Sequence, residues 1–266
     1  MKKNLLNIVL VIAIILACFS SIKIINAYKE NTETNTVIKK IKNEVEIIES
    51  YDSKNTIVIN NNNIVKSDPY FDYIKMKLTN INFQELKKIN NETVGWINLL
   101  GTTINYPFVQ TTNNNFYLNH SFDKSPNKAG WIYMDYRNNI KMFDKNRIFY
   151  GHNRLNNTMF GDLKKTLDNE WYNSKSNHIV KISTEYENSL WQVFSIYKIT
   201  VTNDYLKTKF NTENEYNLFL SKIINRSEIK FSTSITSSDK IITLSTCHND
   251  KERLVLHAKL IKYELK

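Results

Sequence analysis

Ile241-Ile242-Thr243-Leu244-Ser245-Thr246-Cys247 is followed by a polar break, His248-Asn249-Asp250-Lys251-Glu252, and then by Arg253-Leu254-Val255-Leu256-His257-Ala258-Lys259-Leu260. Two alternating, β-branched runs joined by a short polar connection read as a pair of antiparallel strands. Side chains alternate faces along a strand, so Thr243, Ser245 and Cys247 share one side while Ile242, Leu244 and Thr246 take the other. On the second strand Leu254, Leu256, Ala258 and Leu260 make an apolar face, with Arg253, Val255 and His257 opposite. Paired as written, the hairpin brings Arg253 to Cys247, where a fixed positive charge favours the thiolate and steadies a developing oxyanion. The same residues also fit a buried cysteine and a surface arginine on an ordinary hairpin.

The 266 residues carry 36 Lys and Arg against 26 Asp and Glu, a formal charge of +10. That charge fits residence beside anionic lipid or an anionic cell wall, and equally a generally Lys-rich surface. The length allows one sizeable domain with accessory segments. No internal repeat, Gly-rich phosphate loop or metal-spaced His/Cys/Asp/Glu cluster is present, so no cofactor and no metal are expected.

Leu5 to about Ile25 is apolar apart from Asn7, two serines and Lys23. As a helix it matches a hydrocarbon core of about 30 Å, with Lys23 able to snorkel. A cleavable signal would have a shorter apolar run and a small-residue cleavage site. Leu16-Ala17-Cys18 resembles a lipoprotein processing site, but the apolar run continues past the cysteine. Residues 1–27 are therefore read as a single-pass membrane anchor, with a four-residue tail inside and the remainder outside. Of the two cysteines, Cys247 is then the only exported thiol, with no partner for an intramolecular disulfide.

Val37, Ile38, Ile41, Val45 and Ile48 recur at helical spacing and predict an amphipathic stalk helix over residues 35–51. Residues 52–66, with four consecutive Asn, read as linker. Asp68-Pro69 opens a further helix through Met76, and Asn82-Phe83-Gln84-Glu85 reads as a capping box for one carrying Leu86 and Ile89. Residues 28–80 thus form a helical stalk and linker, and 81–266 the main domain. Strand-like runs follow at 94–97, 104–109, 130–134, 147–150, 179–182 and 190–199, before the two opening strands. Many short strands and few helices predict a mainly β sandwich or barrel. One helix interrupts them, capped by Thr212-Glu213-Asn214-Glu215, with Tyr216, Phe219, Leu220, Ile223 and Ile224 on one face.

A thiol nucleophile needs a proton partner. His152, in Ile148-Phe149-Tyr150-Gly151-His152-Asn153, follows a strand that runs into a glycine, a common way to present a side chain at a barrel rim. His248 neighbours Cys247 but points to the other face of a regular strand unless a turn re-aims it. His257 lies about 13 Å along its strand from Arg253, and His120 and His178 sit in polar loops. His152 is the choice.

Thr243-Leu244-Ser245-Thr246-Cys247, with Arg253 to Leu260 after it and Tyr150-Gly151-His152-Asn153 before it, closely resembles the sortases, and among them class B. Gly95-Trp96-Ile97, Asn105-Tyr106-Pro107, Tyr117-Leu118 and Met134-Asp135-Tyr136-Arg137-Asn138 extend the resemblance over roughly residues 80–264. It implies an eight-stranded β-barrel with N-terminal helices and a helix between two late strands, anchored in the membrane of a Gram-positive bacterium. It also implies cysteine transpeptidation: Cys247 as nucleophile, His152 as proton donor and acceptor, and Arg253 on the substrate carbonyl and its oxyanion. Ser245 supports Arg253 or the substrate. The implied partners are the sorting-signal peptide of a surface protein, often of the form Asn-Pro-x-Thr, and an amine acceptor on a lipid-linked wall precursor or a pilin. Membrane lipid is a further partner, and nucleic acid is not. An exported Cys/His peptidase or wall hydrolase, and a non-enzymatic membrane-tethered assembly module, are the competing classes.

Overall fold

The computed structural model describes residues 2–50, 52–59, 68–247 and 251–266. His248, to which the sequence gives no role, lies outside them. In chain order the elements are α1 (Lys2–Glu44), β1 (Ile47–Ser50), β2 (Thr56–Val58), α2 (Tyr70–Tyr73), β3 (Leu78–Ile81), α3 (Gln84–Ile89), β4 (Thr93–Leu99), β5 (Asn105–Val109), β6 (Tyr133–Met134), β7 (Asn146–Tyr150), α4 (Asn169–Asn173), β8 (Ile179–Thr184), β9 (Glu187–Thr200), α5 (Glu213–Asn225), β10 (Ile241–Cys247) and β11 (Glu252–Leu265).

Hydrogen-bonded neighbours run β10-β7-β6-β5-β4-β8-β9-β11, and β10 also pairs with β11, which closes eight strands into a barrel. Closure leaves these strands no free edge beside the site. All eight coincide with strand-like runs expected from the sequence. Ile242, Leu244, Leu254, Leu256, Ala258 and Leu260, the faces set by period 2, join Trp96, Phe108 and Phe149 in the central core. The long β9 and β11 stay paired from Thr200↔Glu252 to Glu187↔Leu265, with irregularities at His257/Ala258 and Leu260/Lys262 that let the ribbon bend around the barrel.

The N-terminal segment departs from expectation. Nothing breaks α1 between span and stalk, because residues 2–44 contain neither Gly nor Pro. The helix therefore runs through residue 27 without interruption. Its apolar first part is exposed, whereas Thr34 and Ile41 are buried and Glu30, Asn31, Val37 and Ile38 are half-buried. That three-to-four spacing is one helical face laid against the barrel. The helix stops at Glu44, and Ile47–Ser50, expected to be helical, instead pair with Leu78–Ile81, since neighbouring β-branched residues serve a strand at least as well. Thr56–Val58, read as linker, pair with Thr56↔Glu264 and Val58↔Lys262 at the end of β11. Residues 60–66 of the expected linker lie outside the described residues.

Of the two capping boxes expected, that at Thr212 is half made and that at Asn82 is not formed: α3 has Phe83 at its N-cap with no side-chain cap bond, and Asn82 instead closes a turn two residues long. Asn82 Oδ1 accepts from the Gln84 N–H at 3.0 Å ahead of α3. Thr212 Oγ1 accepts from the Glu215 N–H at 3.1 Å, while the Glu215 carboxylate turns to the Asn211 N–H and Lys207. Tyr216, Phe219, Leu220 and Ile223 of α5 bury against Phe194, Tyr197, Ile241 and Val255, each contributing roughly 1.5–3 kcal/mol. Ile224, expected on that face, is exposed. The helix thus covers the outer surface of β9, β10 and β11 and fixes the loop before it, residues 201–211, beside the ends of those strands.

Candidate active site

Three strand ends meet at one rim. β7 and β10 run parallel, with Ser245↔Tyr150 their last register pair and the Gly151 N–H donating to the Ser245 carbonyl oxygen at 3.4 Å. Two residues further along the two chains come His152 and Cys247. Across the antiparallel β10–β11 pair, Cys247 and Arg253 are register partners, a relation that sets Cα atoms about 4.5–5.5 Å apart. The hairpin read from the sequence sets Arg253 beside Cys247, and the register has that pair.

His152, Ser245, Thr246 and Arg253 line a cleft of about 230 Å³, with Leu118 and Tyr205 on its walls. The His152 Nε2 lies 2.8 Å from the Leu118 carbonyl oxygen. A carbonyl only accepts, so Nε2 carries the proton and Nδ1 is the nitrogen left for chemistry. Gly130, at φ +59°, makes room for the ring: a Cβ there would stand 2.8 Å from His152 Cδ2 and 2.9 Å from the Leu118 oxygen. The Phe160 N–H donates to the His152 carbonyl at 3.0 Å, which fixes the far side of the loop.

Ser245 is buried, and its hydroxyl bonds that of Tyr205 at 2.9 Å. It therefore ties the 201–211 loop to β10. Arg253 is half-buried, and its Nη1 donates to the Glu252 carbonyl at 3.1 Å.

Behind the cleft Asp135 is a hub. Its carboxylate accepts from Arg137 Nε and Nη2 at 2.9 and 2.7 Å, from the Tyr150 hydroxyl at 2.8 Å and from Asn114 Nδ2 at 3.0 Å. Burial alone would raise its carboxyl, but these donors and the Arg137 charge hold it below the usual carboxylate range. Burial and the Asp135 charge push the Tyr150 phenol upward, so it remains a neutral donor. Arg137 Nη2 also donates to the Leu206 carbonyl at 3.0 Å, linking this hub to the same 201–211 loop.

The other described histidines stand apart. His257 is fully buried between the Tyr197 hydroxyl and Thr243 Oγ1, each at 2.9 Å, and burial, with Arg226 adding to it, lowers its pKa to about 3. His120 stacks on Phe116 at 3.9 Å, and His178 Nε2 bonds the Tyr172 carbonyl at 2.8 Å. Among the described residues no group of three or more His, Cys, Asp or Glu is placed to hold a metal ion. Sequence reasoning overlooked the Leu118 carbonyl, Gly130 and Tyr205. Gly130 alone left a signal, as one of only five glycines in the chain.

A closed eight-stranded barrel with cysteine, histidine and arginine strand ends at one rim is the frame of a cysteine acyl-transfer enzyme. The sortase domain model matches residues 97–261. The chain is 31% identical to Sortase B of Staphylococcus aureus over 98% of both chains, and 33% identical to Sortase B of Listeria monocytogenes over 69% of this chain and 78% of that one. Among solved structures, a sortase B of Bacillus anthracis in complex with AAEK1 aligns over 88% of this chain and 99% of its own, at 34% identity and a TM-score of 0.69. A Staphylococcus aureus sortase B–substrate complex aligns over 68% and 84%, at 38% identity and a TM-score of 0.63. The chain belongs to the sortase family, and its activity is that of a cysteine transpeptidase.

Proposed function

We propose that Cys247 is the nucleophile, His152 the proton carrier and Arg253 the oxyanion partner in a transpeptidation that joins an exported surface protein to a cell-wall precursor or pilin amine. Nδ1 of His152 takes the Cys247 thiol proton, and the resulting thiolate attacks the carbonyl carbon of a sorting-signal peptide, forming a C–S bond and moving the carbonyl electrons onto oxygen beside the Arg253 guanidinium. Collapse of that oxyanion breaks the peptide C–N bond, and His152 delivers a proton to the departing amine from Nδ1. The thioacyl-enzyme then meets the acceptor amine. His152 takes its proton, a new amide forms, and the thiolate leaves.

The observation that carries this reading is the joint register of three strands: Ser245↔Tyr150 on one side of β10 and Cys247↔Arg253 on the other. Residues 1–27 serve as the anchor, 28–80 as the stalk and 81–266 as the catalytic barrel, on the outer side of the membrane. Product analysis with and without an added amine tests the transfer step. Amide formation with the amine supports transpeptidation, whereas free acid as the sole product at saturating amine assigns the site to a hydrolase.

A further inference from the structure

Leu155 is the most exposed large apolar side chain among the described residues, at 98%. It sits between two residues that grip the anchor helix. Arg154 Nη2 donates to Asn31 Oδ1, and Asn156 Nδ2 donates to the same oxygen at 3.1 Å. On the neighbouring loop Asn127 Nδ2 donates to the Glu30 carbonyl at 3.3 Å, and Lys128 next to it is exposed.

Glu30 and Asn31 belong to the first turn and a half of α1 beyond its apolar run. From Ile25 to Asn31 the axial rise is about 9 Å, and the headgroup layer of one leaflet is about 5–8 Å deep. Tyr28, exposed, and Lys29 fall in that interval, and both residue types settle at the membrane interface. The barrel lies against α1 from Glu30 onward, so the 153–159 loop is on its membrane-proximal rim. The loop is built to hold its tip: Asn153 bridges to Met159, and Asn157 and Met159 take positive φ.

We propose that the barrel has a second membrane contact, in which Leu155 enters the headgroup layer while Lys29 and Lys128 meet anionic lipid. An exposed leucine held rigidly at the depth of the headgroups gains by leaving water, and the lysines match the sign of the lipid. The contact begins three residues after His152, so the bilayer fixes the height of the candidate histidine above the membrane. The proposal rests on α1 spanning the bilayer.

The test uses the full chain in phosphatidylglycerol vesicles, with an environment-sensitive dye on a single cysteine and spin-labelled lipids as quenchers. Leu155→Cys in a Cys18→Ser, Cys247→Ala background carries the dye at the loop tip. Leu218→Cys in the same background is the water-facing reference on α5. Native Cys18 in Cys247→Ala reports the span itself. We expect blue-shifted emission and quenching by headgroup-region labels at 155, quenching by deep labels at 18, and neither at 218. A dye at 155 that behaves as the one at 218 while Cys18 is quenched overturns the second contact and leaves the anchor standing. An unquenched Cys18 dye overturns the anchor, and this proposal with it.

Discussion

The imidazole of His152 is held by the backbone of Leu118, Nε2 to carbonyl oxygen at 2.8 Å, on a segment 34 residues earlier in the chain. No side chain could be exchanged to remove that acceptor, and its aim depends on how closely the neighbouring backbone approaches.

Gly130 sets that approach. An added Cβ meets the Tyr117 oxygen at 2.5 Å and His152 Cδ2 at 2.8 Å, and the left-handed conformation costs a non-glycine residue about 1–2 kcal/mol. Gly130→Ala should lower kcat/KM by about 10²-fold through displacement of the ring, in a chain that still folds. Steady-state kinetics alongside thermal melting check this, and unchanged kcat/KM would remove Gly130 from the positioning of His152.

Ser245 and Tyr205 form one hydroxyl pair. Ser245→Ala and Tyr205→Phe should each cost about 1 kcal/mol of stability, and the double variant should cost clearly less than the sum, because both remove the same bond. A double-mutant cycle by urea unfolding measures the coupling. Full additivity would show that the pair contributes nothing.

How far the site was legible follows from what kind of signal each part leaves. Strand-like runs announced all eight barrel strands, and pairing the two opening runs as a hairpin set Arg253 beside Cys247. The Leu118 acceptor is a main-chain atom, identical in every residue, so no side-chain pattern points to it. Tyr205 reaches Ser245 from a loop 40 residues earlier, a distance that only the folded α5 connection closes. β1 and β3 escape the sequence because four-residue strands carry too few residues to display a period, and Val45 and Ile48 extend the helical pattern of Ile41 by coincidence of spacing.

His257 makes stability depend on pH. Its pKa is lowered to about 3 in the fold against about 6.5 in an unfolded chain. Between those values the unfolded chain binds the extra proton, so stability is full above about pH 6.5 and declines as pH falls towards 3. His257→Gln should be less stable at neutral pH but show a shallower fall of Tm through that window. Parallel Tm–pH curves for the two proteins would contradict the burial of a neutral imidazole.

Arg147 and Glu187 are a buried ion pair, Nη1 to Oε1 at 2.5 Å with both side chains no more than 2% exposed. Removing one partner strands the other charge, so Glu187→Ala should destabilise the barrel by about 3–5 kcal/mol. Urea denaturation reads the loss, and a change below about 1 kcal/mol would place the pair in a wetter setting than the structure gives it.

The most direct test of the catalytic assignment is the intact mass of the full chain, in detergent, after mixing with an Asn-Pro-x-Thr peptide library. A covalent adduct equal to the peptide's N-terminal fragment is expected on the wild-type chain, none on Cys247→Ala, and little or none on His152→Ala. An adduct of that mass on Cys247→Ala, or a full wild-type yield on His152→Ala, would contradict that assignment.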